Sequence, residues 1–166
     1  MNTLKKNGLK IFLILFLTFS HSITAESKKL LILGDSISAG YGIKESENWV
    51  QLLENSLELS GKKIEIINSS ISGDTTIGGL SRIENDLSIH KPNYVLVELG
   101  GNDALRGYPI DKIKSNLLKI IEASFKAEAN PIIMQIRIPP NYGKNYVTAF
   151  EDIYMEIAEE KNIPKL

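Results

Sequence analysis

Cysteine is absent from the 166 residues, histidine occurs twice and tryptophan once. Without a thiol there is no disulfide, no thiolate zinc site, no iron–sulfur cluster and no cysteine nucleophile. An excess of positive charge is also missing, since 19 Lys and Arg face 20 Asp and Glu. A chain so balanced lacks the basic surface that follows phosphates, and nucleic acid is not an expected partner. With 12 Gly and 6 Pro there is no collagen-like or low-complexity signal. What remains is an ordinary globular composition, 43% hydrophobic and 23% charged. The length suits one domain with a substantial core and is too short for two ordinary ones.

Residues 1–25 stand apart. Lys5, Lys6 and Lys10 form a basic start, Ile11 to Phe19 is an apolar run interrupted by Thr18 alone, and a short polar stretch ends in Ala25. That layout is a secretory signal peptide. The run is well short of the ~20 apolar residues that a spanning helix requires. The expectation is cleavage after Ala25 and export to the periplasm or beyond, with no lipid or membrane anchor. Residues 26–166 then form a single domain with 16 basic and 20 acidic residues, in which His90 is the one histidine.

From Lys28 onward, apolar runs of strand length alternate with loops and stretches of helical periodicity. The runs are 29–33 (KLLIL), 63–68 (KIEIIN), 94–99 (YVLVEL) and 132–138 (IIMQIRI), and a fifth opens at Ile163. Their spacing is that of βα units. Continuous apolarity predicts strands covered on both faces, as in a parallel sheet. Trp49, Leu52, Leu53 and Leu57 mark the first helical face, and Ile77, Leu80, Ile83 and Leu87 the second. Ile113, Leu117, Ile120, Ile121 and Phe125 mark the third, and Val147, Phe150, Ile153, Ile157 and Ala158 the fourth. Gly61 and the Asn130-Pro131 pair read as stops after the first and third helices. The fold class is α/β, one doubly wound parallel sheet. Leu166 falls where a fifth strand opens, so the last βα unit is expected to be missing.

Ligands bind such sheets at the carboxyl ends of the strands. The loops there are 34–42 (GDSISAGYG), 69–76 (SSISGDTT), 100–103 (GGND) and 139–143 (PPNYG). Glycine with small polar residues before a helix start offers free N–H groups to developing negative charge. The same residues also serve as ordinary turns and N-caps.

Gly34-Asp35-Ser36 after the first run, Gly73 after the second and Gly100-x-Asn102-Asp103 after the third resemble the blocks of the SGNH (GDSL-type) hydrolases. LLILGDSISAGYG, INSSISGDTT, VLVELGGNDALRG and MQIRIPPNYG resemble most a bacterial periplasmic thioesterase and lysophospholipase subgroup of that family, from about Leu30 to Leu166. The resemblance implies a flavodoxin-like three-layer α/β/α domain. It also implies a serine hydrolase of small acyl esters or thioesters; a monomer without cofactor or metal is expected. Ser36 is then the nucleophile that carries the acyl group. The N–H groups of Ser36 and Gly73, with the side-chain amide of Asn102, form the oxyanion hole. Gly34, Asp35, Asp74, Gly100 and Asp103 support these loops, the aspartates by accepting backbone N–H bonds. Ile138 and Pro139 border the acyl cleft. The nucleophile does not sit in the GxSxG elbow of α/β-hydrolases. Glu98 and Arg137, read as lying on neighbouring strands, are expected to pair.

The family places an Asp-x-x-His pair near its carboxyl end, and no segment of this chain matches it. His90 precedes the third strand, and a six-residue strand spans about 20 Å, too far for a general base to reach Ser36. Asp152 has no histidine three residues on. The expectation is an incomplete hydrolase with little turnover. Two other readings stay open. Asp35, Asp74 and Asp103 could gather Mg²⁺ for phosphate hydrolysis. Alternatively, the cleft could bind acyl chains or lipid in the periplasm without catalysis.

Overall fold

The computed structural model describes residues 27–166, so the leader read at residues 1–25 lies outside the described residues. Four strands, β1 (Lys28–Gly34), β2 (Ile64–Asn68), β3 (Tyr94–Glu98) and β4 (Asn130–Ile133), pair in parallel in the order β2-β1-β3-β4. The direction of winding switches between β1 and β3, which opens a crevice at their carboxyl ends. The helices are α1 (Ser36–Ala39), α2 (Trp49–Leu59), α3 (Thr76–His90), α4 (Gly101–Leu105), α5 (Ile110–Lys126) and α6 (Lys144–Lys161).

Alternate strand residues feed two cores. Leu31, Leu33, Val95, Val97 and Ile133 pack with Ile83 and Leu87 of α3, Ile113, Leu117 and Ile120 of α5, and Phe150 and Ile157 of α6. Ile32 and Leu96 face the other way, onto Val50 and Trp49 of α2. Three layers result, with the sheet in the middle. Leu52, Ile77 and Phe125 depart from the expected faces, being 51%, 55% and 45% exposed. Ile77 and Phe125 sit in the first and last turns of their helices, where the packed face runs out. Leu52 belongs to α2, whose contact with the sheet is narrow.

The fourth strand also departs from its apolar run. It opens two residues earlier, at Asn130, and closes at Ile133. Asn130-Pro131 therefore begins a strand rather than stopping a helix. The helix α5 has already ended at Lys126, and Glu128 turns the chain with φ 60°. Hydrogen-bond phase explains why the proline fits. The N–H groups of Asn130 and Met134 donate to Asn93 and Val97 on the β3 side, whereas those of Ile133 and Gln135 donate outward to Pro164 and Leu166. Pro131 shares the outward phase, so its missing N–H takes nothing from the β3–β4 ladder. The run that opens at Ile163 meets this outer side, where Lys165 bridges Ile133 in parallel.

Candidate active site

The chain leaves β1 through Gly34, and Asp35 caps α1. Its Oδ1 accepts the Ile37 N–H at 3.0 Å, and its backbone carbonyl accepts that of Ala39 at 2.9 Å. Ser36 is thus the first residue of α1, half-buried just past the carboxyl end of β1. The segment after β2 stays fastened to β1. Ser69 N–H donates to the Ile32 carbonyl at 2.9 Å and Ile71 N–H to that of Gly34 at 3.0 Å, which delivers Gly73 to the same edge. Gly73 has φ +81°, and a Cβ there would meet no protein atom within 4 Å. Its backbone conformation, rather than crowding by the protein, favours glycine there, and the space before it stays open.

Arg82 braces this second loop. Its Nε and Nη2 donate to Asp74 Oδ2 at 3.1 and 3.0 Å, and its Nη1 donates to Ser69 Oγ and Asp86 Oδ2. The third loop begins at Gly100, where φ is +117° and a Cβ would lie 2.6 Å from the Tyr154 hydroxyl. Two turn residues later, Asn102 joins all three loops. Its Nδ2 donates to Asp35 Oδ2 and to the Asp74 backbone carbonyl, both at 2.9 Å. One side chain so ties the residue before Ser36 to the residue after Gly73. Arg106 adds a bond from Nη2 to the Gly73 carbonyl at 3.1 Å.

The three aspartates are committed to such bonds. Asp35 accepts from Ile37, Asp74 from the Thr75 N–H at 2.9 Å, and Asp103 from the Thr76 N–H at 2.9 Å. Burial pushes the Asp35 carboxyl above its ordinary range, opposed by the Ile37 N–H and the Asn102 amide, which favour its charged form. Among the described residues, no three His, Cys, Asp or Glu side chains converge as a metal site.

Other expected positions fall differently. Ile138 is buried in the main core, while Pro139 is exposed, so only the second presents open surface. The Glu98–Arg137 pair does not form. β4 has ended before Arg137, which is exposed, whereas Glu98 is 1% exposed and turns to the loop of Ser36. His90 closes α3, and its carbonyl lies 3.5 Å from Lys29 Nζ near the start of β1. That is the edge opposite Ser36. Ser38, Asn48, Asn68 and Arg82 shape the site without having been singled out in the sequence, and Glu98 does so at the loop of Ser36 rather than in a pair with Arg137. The available signal was a polar residue at or near the end of an apolar run, Asn68 after KIEII and Glu98 before the final Leu99 of YVLVEL.

A three-layer α/β domain that gathers a serine, a glycine and an asparagine at three strand ends defines an SGNH-type hydrolase architecture. Residues 32–166 match the GDSL-like Lipase/Acylhydrolase family, and the chain belongs to it. It is 48% identical over 151 residues to an arylesterase of Vibrio mimicus, covering 91% of this chain and 75% of that one. It is 45% identical over 156 residues to thioesterase 1/protease 1/lysophospholipase L1 of Escherichia coli strain K12, covering 94% and 72%. Among solved structures, it matches the psychrotrophic esterase EstA of Pseudoalteromonas sp., inhibited by monoethylphosphonate. The TM-score is 0.80 at 41% identity, covering 84% of this chain and 76% of that one.

Proposed function

We propose that the chain hydrolyses acyl esters or thioesters through an acyl-Ser36 intermediate. The observation that carries this reading is the double hydrogen bond of Asn102, which draws the loops of Ser36 and Gly73 to one point. In the proposed reaction, Ser36 Oγ attacks the substrate carbonyl carbon. The N–H groups of Ser36 and Gly73 and the Asn102 amide receive the charge that develops on the carbonyl oxygen. Asn102 keeps one N–H on Asp35 and turns the other from the Asp74 carbonyl to this oxyanion. A neutral amide donates there without adding a competing negative charge. Collapse expels the alcohol or thiol, and water then attacks the acyl-enzyme, releasing the acid and restoring Ser36.

The proton of Ser36 needs a base within hydrogen-bond reach. His90, at the opposite edge of the sheet, does not supply it. That observation favours a second reading, in which the cleft binds acyl chains or lipid without turnover. We further propose that residues 1–25 direct export and that residues 26–166 act as a monomeric domain in the periplasm or the medium. The basic start, apolar run and Ala25 support the export part of this reading.

A fluorophosphonate probe followed by peptide mass analysis tests the reading. Label on Ser36, lost in Ser36→Ala, together with turnover of p-nitrophenyl esters supports the hydrolase. Label without turnover supports the second reading. Label that survives Ser36→Ala moves the nucleophile elsewhere, with Ser72 next to examine.

A further inference from the structure

We propose that Glu98 is a positioning residue for Ser36, holding the turn that presents the nucleophile through Ser38 and the backbone of Asp35. The inference rests on Ser36 being the nucleophile. It begins in the sheet register, where Glu98 of β3 stands beside Gly34 of β1. The neighbour has no side chain, and the carboxyl group fills the space. A Cβ on Gly34 would lie 2.7 Å from Glu98 Oε2 and 2.8 Å from Ser38 Oγ.

From that space, Glu98 Oε2 accepts the Asp35 N–H at 3.3 Å and the Ser38 hydroxyl at 2.7 Å. These are the residue before Ser36 and the second residue after it. Ser38 is fully buried, and its carbonyl accepts from Asn48 Nδ2 at 3.1 Å and Asn68 Nδ2 at 2.9 Å. The four residues of α1 are far too few to be stable alone, so the turn depends on these outside holds. Glu98 has bonds on both sides of Ser36, whereas Asn48 and Asn68 act at Ser38 only. Its other oxygen, Oε1, is buried with no hydrogen-bond partner among the described residues. Burying a carboxyl group in this way is unfavourable in itself, so what Glu98 contributes is geometry rather than net stability.

The test compares the 166-residue chain with its Glu98→Ala, Glu98→Gln and Ser38→Ala variants. Two readouts are taken: the rate at which a fluorophosphonate modifies Ser36, and amide hydrogen exchange across residues 34–40 relative to α5. Small misplacements of reacting groups are costly, so Glu98→Ala is expected to slow modification by about tenfold or more. It should also speed exchange in residues 34–40 while leaving α5 protected. Glu98→Gln can offer its amide oxygen to the same two donors and should restore both readouts toward the parent. If Glu98→Ala fails to fold, Ser38→Ala, which removes one of the two bonds, should show the same pattern in weaker form. Unchanged exchange and an unchanged rate in Glu98→Ala, or in Ser38→Ala where that variant stands in, overturn this proposal alone. A parent chain that is never modified at Ser36 overturns the nucleophile assignment and this proposal together.

Discussion

Thr76 gives both of its hydrogens to Asp103. Its N–H meets Oδ2 at 2.9 Å and its hydroxyl meets Oδ1 at 2.6 Å, with both residues buried. The first turn of α3 is thereby locked to α4, and the loop of Gly73 to the helix that carries Asn102. Asp103→Ala leaves two buried donors unpaired. The expected loss is about 2–4 kcal/mol, read by urea denaturation. Asp103→Asn keeps one acceptor oxygen and should lose less.

Asn102→Ala removes a proposed oxyanion donor and the link between Asp35 and the Asp74 carbonyl. Ester turnover, or phosphonate labelling where turnover is low, should fall by about 10²–10³. The rate ratio at matched probe concentration checks it. A change of less than severalfold would remove Asn102 from the oxyanion hole.

Glu98 makes stability depend on pH. Burial, partly opposed by the Ser38 hydroxyl, raises its pKa from 4.5 to about 7. The folded protein then holds a proton that the unfolded chain releases between those values. The contribution of Glu98 to stability is therefore most favourable below about pH 4.5 and is lost as pH rises to about 7, a change of roughly 3 kcal/mol. Asp35, the nearest charged group, is raised as well and acts in the same direction at the acid end. Urea midpoints at pH 5 and pH 8 should differ in the parent chain and converge in Glu98→Gln.

A base supplied from solution should raise turnover. His90 lies at the far edge, so neutral imidazole added to the 166-residue chain should speed release of p-nitrophenol in proportion to its concentration. Beyond the enzyme-free rate that imidazole itself gives with the same ester, the increment should vanish in Ser36→Ala. An increment above that rate that persists in the variant would not run through Ser36.

The strands and long helices were legible because burial on two faces leaves a plain mark. KLLIL and YVLVEL could hardly be anything but covered strands, and the stripes of α3, α5 and α6 follow the helical period. The loops of Ser36, Gly73 and Asn102 were legible through their resemblance to a family. What stayed hidden depends on partners distant in sequence. Pro131 reads as a breaker until the phase of its neighbours' hydrogen bonds is known. Gly34 reads only as support for its loop, whereas it makes room for the carboxyl of Glu98, from 64 positions further along the chain. Glu98 itself invited pairing with Arg137 because IIMQIRI looked like one continuous strand. That strand stops at Ile133, which leaves the arginine outside.

Because β1 lies between β2 and β3, the chemistry has to wait for the topology. Ser36, Gly73 and Asn102 each follow a different strand, so pairing β1 with either neighbour alone leaves the constellation one member short. Parallel pairing across such sequence separations is slow compared with forming a helix. During refolding, helix content should therefore return early, while the reactivity of Ser36 should return only as the centre of the sheet closes. The serine thus serves as a clock for closure of the sheet's centre.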